Sequence, residues 1–198
     1  LFEAFVPATV VQVLCEQGVT LAGAGTVFHQ TYLAAQRASD TPIFPEVRGF
    51  PGGGAPKPPA LHYELKEAFP TSAGILTGYG LTEAPIMTMA TPDDSDEDLA
   101  NTEGSAMPGV EIHIVRLDGE AAAQGEEGEV RVKAPQLMKG YLDESLNAEA
   151  FDEQGYFRTG DLGSLTPNGM LLITGRLKDV IIRKGENISA KEVEDHLY

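Results

Sequence analysis

Apolar residues keep a helical spacing in the first part of the chain and turn to strict alternation beyond Pro108, so two kinds of structure are expected. Pro7 to Glu16 reads as a helix, with proline in its first turn, Val10, Val13 and Leu14 on one face, and Gly18 as its stop. Val19 to Ala22 follows as a short strand, and Thr26 can cap a second helix on which Phe28, Tyr32 and Ala35 share a face. Val47 to Phe50 predicts a strand running into Pro51, Gly52, Gly53, Gly54, Ala55 and Pro56. Pro59 to Phe69 predicts an amphipathic helix with Leu61, Leu65, Ala68 and Phe69 inward, and Ile75 to Thr77 a short apolar strand.

Thr91 to Glu103 is acidic and lacks apolar periodicity, which predicts a solvated loop; its spacing matches no EF-hand. Beyond Pro108, Val110, Ile112 and Ile114 form one strand face, Asp118-Gly119 signals a hairpin turn, and Val130 and Val132 form the matching face. A helix is expected near Ser145 to Phe151. An acid on a glycine-flanked turn follows at Thr159-Gly160-Asp161, then a strand at Met170 to Thr174 and a basic connector at Gly175 to Asp179. A strand at Val180 to Ile182, a loop at Arg183 to Asn187 and a capping box at Ser189 to Glu192, opening a helix through Tyr198, complete the pattern. The fold class is α/β, with an α/β piece over 1–95, a β-rich piece over 96–175 and the start of a third over 176–198.

The 198 residues, 42% of them hydrophobic, suffice for a core. Thirty acidic against 14 basic residues give a net charge of -16, which repels nucleic acid and anionic membranes, so an anionic ligand needs local donors. The single cysteine, Cys15, cannot form an internal disulfide and is expected as a small buried apolar residue in a reducing cytoplasm. No stretch spans a bilayer or reads as a signal peptide, although the start at Leu1 leaves a leader on a longer parent open. His29 reads as a packing or helix-end histidine before a ligand or base.

Ile75 to Thr77 delivers Gly78-Tyr79-Gly80-Leu81-Thr82-Glu83 to the carboxyl end of a strand, where ligands collect in open α/β sheets. Tyr79 offers a face for stacking on a base, the Thr82 hydroxyl can donate to a phosphate oxygen, and the Glu83 carboxylate can hold magnesium. By itself the segment is more simply a turn and a helix-start acid. The glycines at 52–54 would let backbone approach a flat ring, but a Gly/Pro run is most simply a loop. Asp161 can accept two hydrogen bonds from a vicinal diol and Arg176 can hold an anion or a ribose oxygen; alternatively Asp161 closes a turn, with Arg176 and Lys178 solvated.

Taken together and in chain order, "GGGAP", "GYGLTE", "GYFRTGD" and "GRLKDVIIRKGENISAKEVE" resemble motifs of the adenylate-forming superfamily, which includes acyl-CoA synthetases, luciferases and peptide-synthetase adenylation domains. The resemblance covers most of the chain from about position 50 onward. It implies part of a large N-terminal domain, an α/β and a β-rich subdomain, and the beginning of a small C-terminal domain. By this resemblance Gly53, Gly54, Ala55 and Pro56 line the adenine and acyl sites. Gly78 and Gly80 leave space for the acyl chain, Tyr79 contacts adenine, and Leu81 belongs to the same cofactor-binding loop. Thr82 reaches phosphate and Glu83 the metal, the two catalytic assignments. Asp161 binds both ribose hydroxyls, Arg176 ribose or phosphate, Lys178 marks the hinge, and Gly185 approaches the thiol arm of CoA. Residues near His29 border the acyl pocket.

The implied reaction joins a small-molecule carboxylate to AMP from ATP with Mg2+, then transfers the acyl group to CoA. "GENISAKEVE" after "GRLKD" looks more like a fatty or alicyclic acyl-CoA synthetase than an amino-acid adenylation domain. The alternatives are a domain that loads a carrier protein and a noncatalytic nucleotide-binding or structural piece; a homo-oligomer is left open. Two family features are missing: a Ser/Thr/Gly-rich phosphate loop ending in lysine, and a late catalytic lysine. The chain therefore looks like an internal piece of a longer ligase, inactive by itself.

Overall fold

The computed structural model describes residues 6–23, 25–54, 57–179, 181–183 and 186–188. It has mixed helices and sheets, as an α/β class requires. Contacts group the chain into two units, Leu1–Gly78 with Ala90–Asn101, and Tyr79–Met89 with Thr102–Tyr198.

In the first unit, α1 (Pro7–Glu16) opens on proline, whose missing N–H costs no helical bond in the first turn. It ends before Gly18, which takes φ 61. Cys15 is exposed, against expectation, because it lies off the face that buries Val10. The second helix, α2 (Thr26–Arg37), buries His29, Tyr32 and Leu33; its N-cap is Gly25, and Thr26 is the first helical residue instead of the cap. The strand expected at Val19 to Ala22 is a single bridge, Leu21 to Gly49, with too few ladder bonds to extend. The next strand, β1 (Phe50–Gly52), starts later than Val47 because the Val47 N–H is turned back onto the Phe44 carbonyl.

The helix α3 (Pro59–Ala68) carries Leu61, His62 and Leu65 inward and leads to β2 (Ile75–Thr77), which pairs parallel with β1, Phe50 opposite Ile75. Phe50 and Phe69 approach to 5.0 Å between ring centroids, and Tyr32 and Phe44 to 5.5 Å, filling the core with edge and tilted contacts. The acidic stretch expected as a loop contains α4 (Asp96–Asn101). Ser95 Oγ accepts the Asp98 N–H at 3.1 Å, the first turn carries Asp96, Glu97 and Asp98 where the helix dipole favours anions, and Leu99 packs with Leu76 and Ala90. Lys57 is buried, and its Nζ donates to the Ala100 carbonyl in the last turn, at 2.9 Å.

Two buried histidines give this unit a pH dependence. His62 Nδ1 accepts the Ile75 N–H at 3.2 Å, which leaves the ring proton on Nε2, 3.5 Å from Asp96. Burial lowers the pKa of both His29 and His62 below the ordinary 6.5, outweighing for His62 the attraction of Asp96. The folded unit holds them neutral while the unfolded chain protonates them near 6.5, so their contribution is complete above that pH and is lost as pH falls below it. Chemical denaturation should show stability falling by up to about 1.4 kcal/mol per pH unit per histidine between pH 6.5 and the folded pKa values. A midpoint that holds or rises between pH 7.5 and 5.5 would contradict this assignment.

The second unit begins with β3 (Thr88–Met89), which pairs antiparallel with β4 (Ser105–Ala106). A four-stranded antiparallel sheet follows in sequence order: β5 (Glu111–Val115), β6 (Gly128–Lys133), β7 (Phe157–Leu165) and β8 (Leu171–Arg176), with α5 (Asn147–Ala150) between β6 and β7. Ile112 pairs with Val132 and Ile114 with Val130, the apolar face expected from the alternation. Val130, Val132 and Leu171 are fully buried. The helix expected near Ser145 to Phe151 is shorter, a 3-10 turn at Glu144–Leu146 followed by the single turn of α5. The chain continues into β9 (Ile181–Arg183), antiparallel to β10 (Glu186–Ile188). The helix expected after Ser189 lies outside the described residues. Among the described residues no helix is long and apolar enough to cross a membrane.

Candidate nucleotide site

Asp161 lies inside a strand, at a distortion, and the turn expected there does not form. Arg131 of β6 pairs with Arg158 of β7 while Glu129 pairs with Leu162, so Thr159, Gly160 and Asp161 bulge opposite Val130. Gly160 takes φ 71 at this point. The Thr159 hydroxyl replaces part of the lost ladder: it donates to the Val130 carbonyl at 2.7 Å and accepts the Asp161 N–H at 3.0 Å. Such a bulge re-aims one side chain without ending the strand. On its other edge β7 sets Asp161 directly opposite Arg176 of β8.

The Asp161 carboxylate is 4% exposed and held on both oxygens. Arg176 Nε donates to Oδ1 at 2.8 Å, and the Tyr79 hydroxyl donates to Oδ2 at 2.5 Å. Burial, then the negative charge of Asp161, push the Tyr79 phenol far above its ordinary pKa, so it stays a proton donor. A carboxylate has about four lone-pair directions, so two remain for further donors such as paired hydroxyls. The Arg176 side chain is 49% exposed and uses Nε for Asp161, which leaves the rest of a planar fork suited to oxyanions.

Tyr79 is placed by a loop that folds back on itself. Its carbonyl accepts the N–H groups of Met87 and Thr88, its own N–H donates to the Thr88 hydroxyl, and Leu81 and Ala84 exchange N–H and carbonyl bonds. Gly80 is required by this folding, because a Cβ there would lie 2.5 Å from the Ile86 nitrogen. Ile86 itself takes φ 49, a left-handed conformation that costs a branched residue energy. The space that a side chain at 80 would need is thus filled by the chain's own backbone. Leu81 packs into the apolar cluster around Met87 and Val130, and Thr82 is exposed.

Glu83 is half-buried and doubly held. Its Oε1 accepts the Tyr141 hydroxyl at 2.8 Å, and its carbonyl accepts the Met138 N–H at 2.8 Å. The hydrogen bond to this carboxylate raises the Tyr141 pKa. Read from sequence, Tyr141 has no role and Thr159 is only part of a turn. Nothing local in Met138-Lys139-Gly140-Tyr141 says that its tyrosine meets an acid 58 residues upstream.

The remaining expected residues are dispersed. Gly53 and Gly54 belong to the first unit; a Cβ at Gly53 would lie 2.6 Å from the Gly78 carbonyl oxygen, and Gly54 takes φ 80. Gly78 continues the pairing of β1 and β2, its N–H donating to the Gly52 carbonyl. Lys178 is exposed in a 3-10 turn just past β8. Ala55, Pro56 and Gly185 lie outside the described residues. Within the second unit the structure brings together Tyr79, Asp161 and Arg176, and separately Glu83 and Tyr141.

A CoA ligase of Rhodococcus jostii, named for a methyl-dioxo-octahydroindenyl propanoyl substrate, is 35% identical over 97% of this chain, which covers 35% of that protein. A salicyl-AMP ligase / salicyl-S-ArCP synthetase of Mycobacterium tuberculosis is 34% identical over 83% of the chain and 29% of its own length. Among solved structures, O-succinylbenzoate coenzyme A synthetase of Bacillus subtilis, in complex with ATP and magnesium, superposes with a TM-score of 0.84 at 33% identity, over 100% of this chain and 40% of that one. The chain spans about a third of the length of these curated relatives. The family described as AMP-binding enzyme matches residues 2–142, and the chain belongs to that family of adenylate-forming enzymes.

Proposed function

We propose that the whole protein is an ATP-dependent acyl-CoA synthetase, which activates a fatty or alicyclic carboxylic acid as acyl-AMP and passes the acyl group to CoA. The observation that carries this reading is the buried Asp161 carboxylate, fixed by Tyr79 and Arg176 yet with acceptor capacity left for two ribose hydroxyls. The ligase names of the relatives support the reaction class, and the relative solved with ATP and magnesium supports the cofactors.

In this reading an oxygen of the substrate carboxylate attacks the α-phosphorus of ATP, the new O–P bond forms, and pyrophosphate leaves. The sulfur of CoA then attacks the acyl carbon, the thioester forms, and AMP leaves. Asp161 holds the ribose, Arg176 donates to ribose or phosphate, and the exposed Thr82 hydroxyl donates to a phosphate oxygen. Among the described residues no group of three His, Cys, Asp or Glu could hold a metal. The Glu83 carboxylate, whose Oε1 accepts from Tyr141, offers its other oxygen to a magnesium ion that the triphosphate and water would otherwise hold. When bound, that ion offsets negative charge on the phosphates. Glu83 would supply one oxygen to it.

A second reading, transfer to a carrier protein, is favoured by the Mycobacterium tuberculosis relative, whose name carries both steps. Pyrophosphate exchange into ATP by the whole protein, screened over fatty, alicyclic and aromatic acids, tests activation; absence of exchange with every acid would sink it. CoA and a carrier protein offered to the active acid then separate the two acceptors. This 198-residue chain alone is expected to give no acyl-AMP, because its sequence has no Ser/Thr/Gly-rich phosphate loop ending in lysine and no late lysine placed to offset the developing charge.

A further inference from the structure

We infer that Tyr141 is a positioning residue for the metal-binding carboxylate of Glu83, an inference that rests on the function proposed above. A glutamate on a loop samples many rotamers, and a cation that binds it must first stop that motion. Here the side chain is already stopped. The Tyr141 hydroxyl donates to Oε1 at 2.8 Å, which uses a lone pair on one oxygen and leaves Oε2 to meet a hard cation. The backbone of Glu83 is fixed from the same segment, its carbonyl accepting the Met138 N–H at 2.8 Å. Two bonds from residues 138–141 therefore set both the position and the direction of one carboxylate.

Tyr141 is itself braced for this task. Its N–H donates to Asn147 Oδ1 at 2.8 Å, and Asn147 Nδ2 donates back to the Tyr141 carbonyl at 3.4 Å. Gly140, at φ 149, lets the chain turn beside that amide: a Cβ at 140 would come within 3.0 Å of Asn147 Nδ2. The brace runs from Asn147 through Tyr141 to Glu83, and none of its three members belongs to the Asp161 cluster. A tyrosine kept only for packing would need neither the hydroxyl nor the asparagine.

The test uses the full-length protein and its Tyr141→Phe, Asn147→Ala and Glu83→Gln variants. Manganese binding in the presence of ATP is followed by the paramagnetic resonance signal of the free ion, alongside thermal midpoints and the magnesium dependence of pyrophosphate exchange. Glu83→Gln should lose most of the manganese affinity. Tyr141→Phe should weaken it by about fivefold, as expected when side-chain torsions are freed, with its exchange rate restored at high magnesium. Asn147→Ala should shift affinity in the same direction by a smaller factor. Wild-type manganese affinity in Tyr141→Phe and Asn147→Ala, with affinity lost in Glu83→Gln, would overturn the positioning role and leave the metal assignment standing. Wild-type affinity in Glu83→Gln would instead overturn the metal assignment at Glu83. If Tyr141→Phe does not fold, Asn147→Ala decides between these outcomes, since it loosens Tyr141 without removing its hydroxyl.

Discussion

Replacing Asp161 with Ala in the whole protein is expected to weaken ATP binding by about 2 to 3 kcal/mol, about 30- to 150-fold. The loss should be much smaller for 2′,3′-dideoxy-ATP, which has no hydroxyls to offer. Part of the cost is common to both nucleotides, because Asp161 also accepts from Tyr79 and from Arg176. Without it the Tyr79 hydroxyl keeps its proton and loses its acceptor, and Arg176 loses the charge that aims it. The common part should appear in the free protein as a stability loss of about 1 to 3 kcal/mol in chemical denaturation. The difference between the two nucleotides isolates the ribose contacts, and calorimetry that finds equal losses for both would show that Asp161 does not read the sugar.

Replacing Gly80 with Ala is expected to cost about 2 to 4 kcal/mol of stability, the upper range for forcing one methyl group into filled space. The added Cβ would lie 2.5 Å from the Ile86 nitrogen and 3.2 Å from its Cα, atoms of the main chain that no rotamer change can move. Nor can Ile86 give way easily, since it already sits at φ 49. The loop would have to open, carrying Tyr79 off Asp161 and shifting Glu83. Gly169→Ala is the control: it has φ 79 and open space around its Cβ, so it should cost only the left-handed penalty of about 1 to 2 kcal/mol. Equal denaturation midpoints for the two variants would mean that the loop is not packed as described.

Local pattern was informative where one element supplies its own signal. Proline in the first turn and glycine beyond the end bracket Pro7–Glu16, and the alternation of Ile112 and Ile114 against Val130 and Val132 is reproduced by the register of β5 and β6. It was uninformative where the cause of a structure lies elsewhere in the chain. The six-residue helix at Asp96–Asn101 is too short to show a period, and its formation depends on a Ser95 cap and on Leu99 meeting Leu76. Thr159-Gly160-Asp161 has the composition of a turn, but the flanking ladders to β6 and β8 stretch it into a bulge. The candidate site follows the same rule: motif resemblance singled out Tyr79, Asp161 and Arg176, whereas the bond between Tyr79 and Asp161 joins residues 82 apart and has no local signature.

The path of the chain between its two units has a practical consequence for dissecting the protein. It crosses at Gly78 to Tyr79, at Met89 to Ala90 and at Asn101 to Thr102, so the second unit is assembled from two separate stretches of chain, the first of them Tyr79–Met89. A truncation starting at Thr102 would keep all of β5 to β8, and with it Asp161 and Arg176, but would be missing Tyr79, Thr82 and Glu83. A truncation ending at Asn101 would keep those three residues on a segment stripped of the sheet that organises them. Neither half is a transplantable module: a chimera that exchanges the sheet between relatives must also exchange residues 79–89, at the cost of two extra junctions.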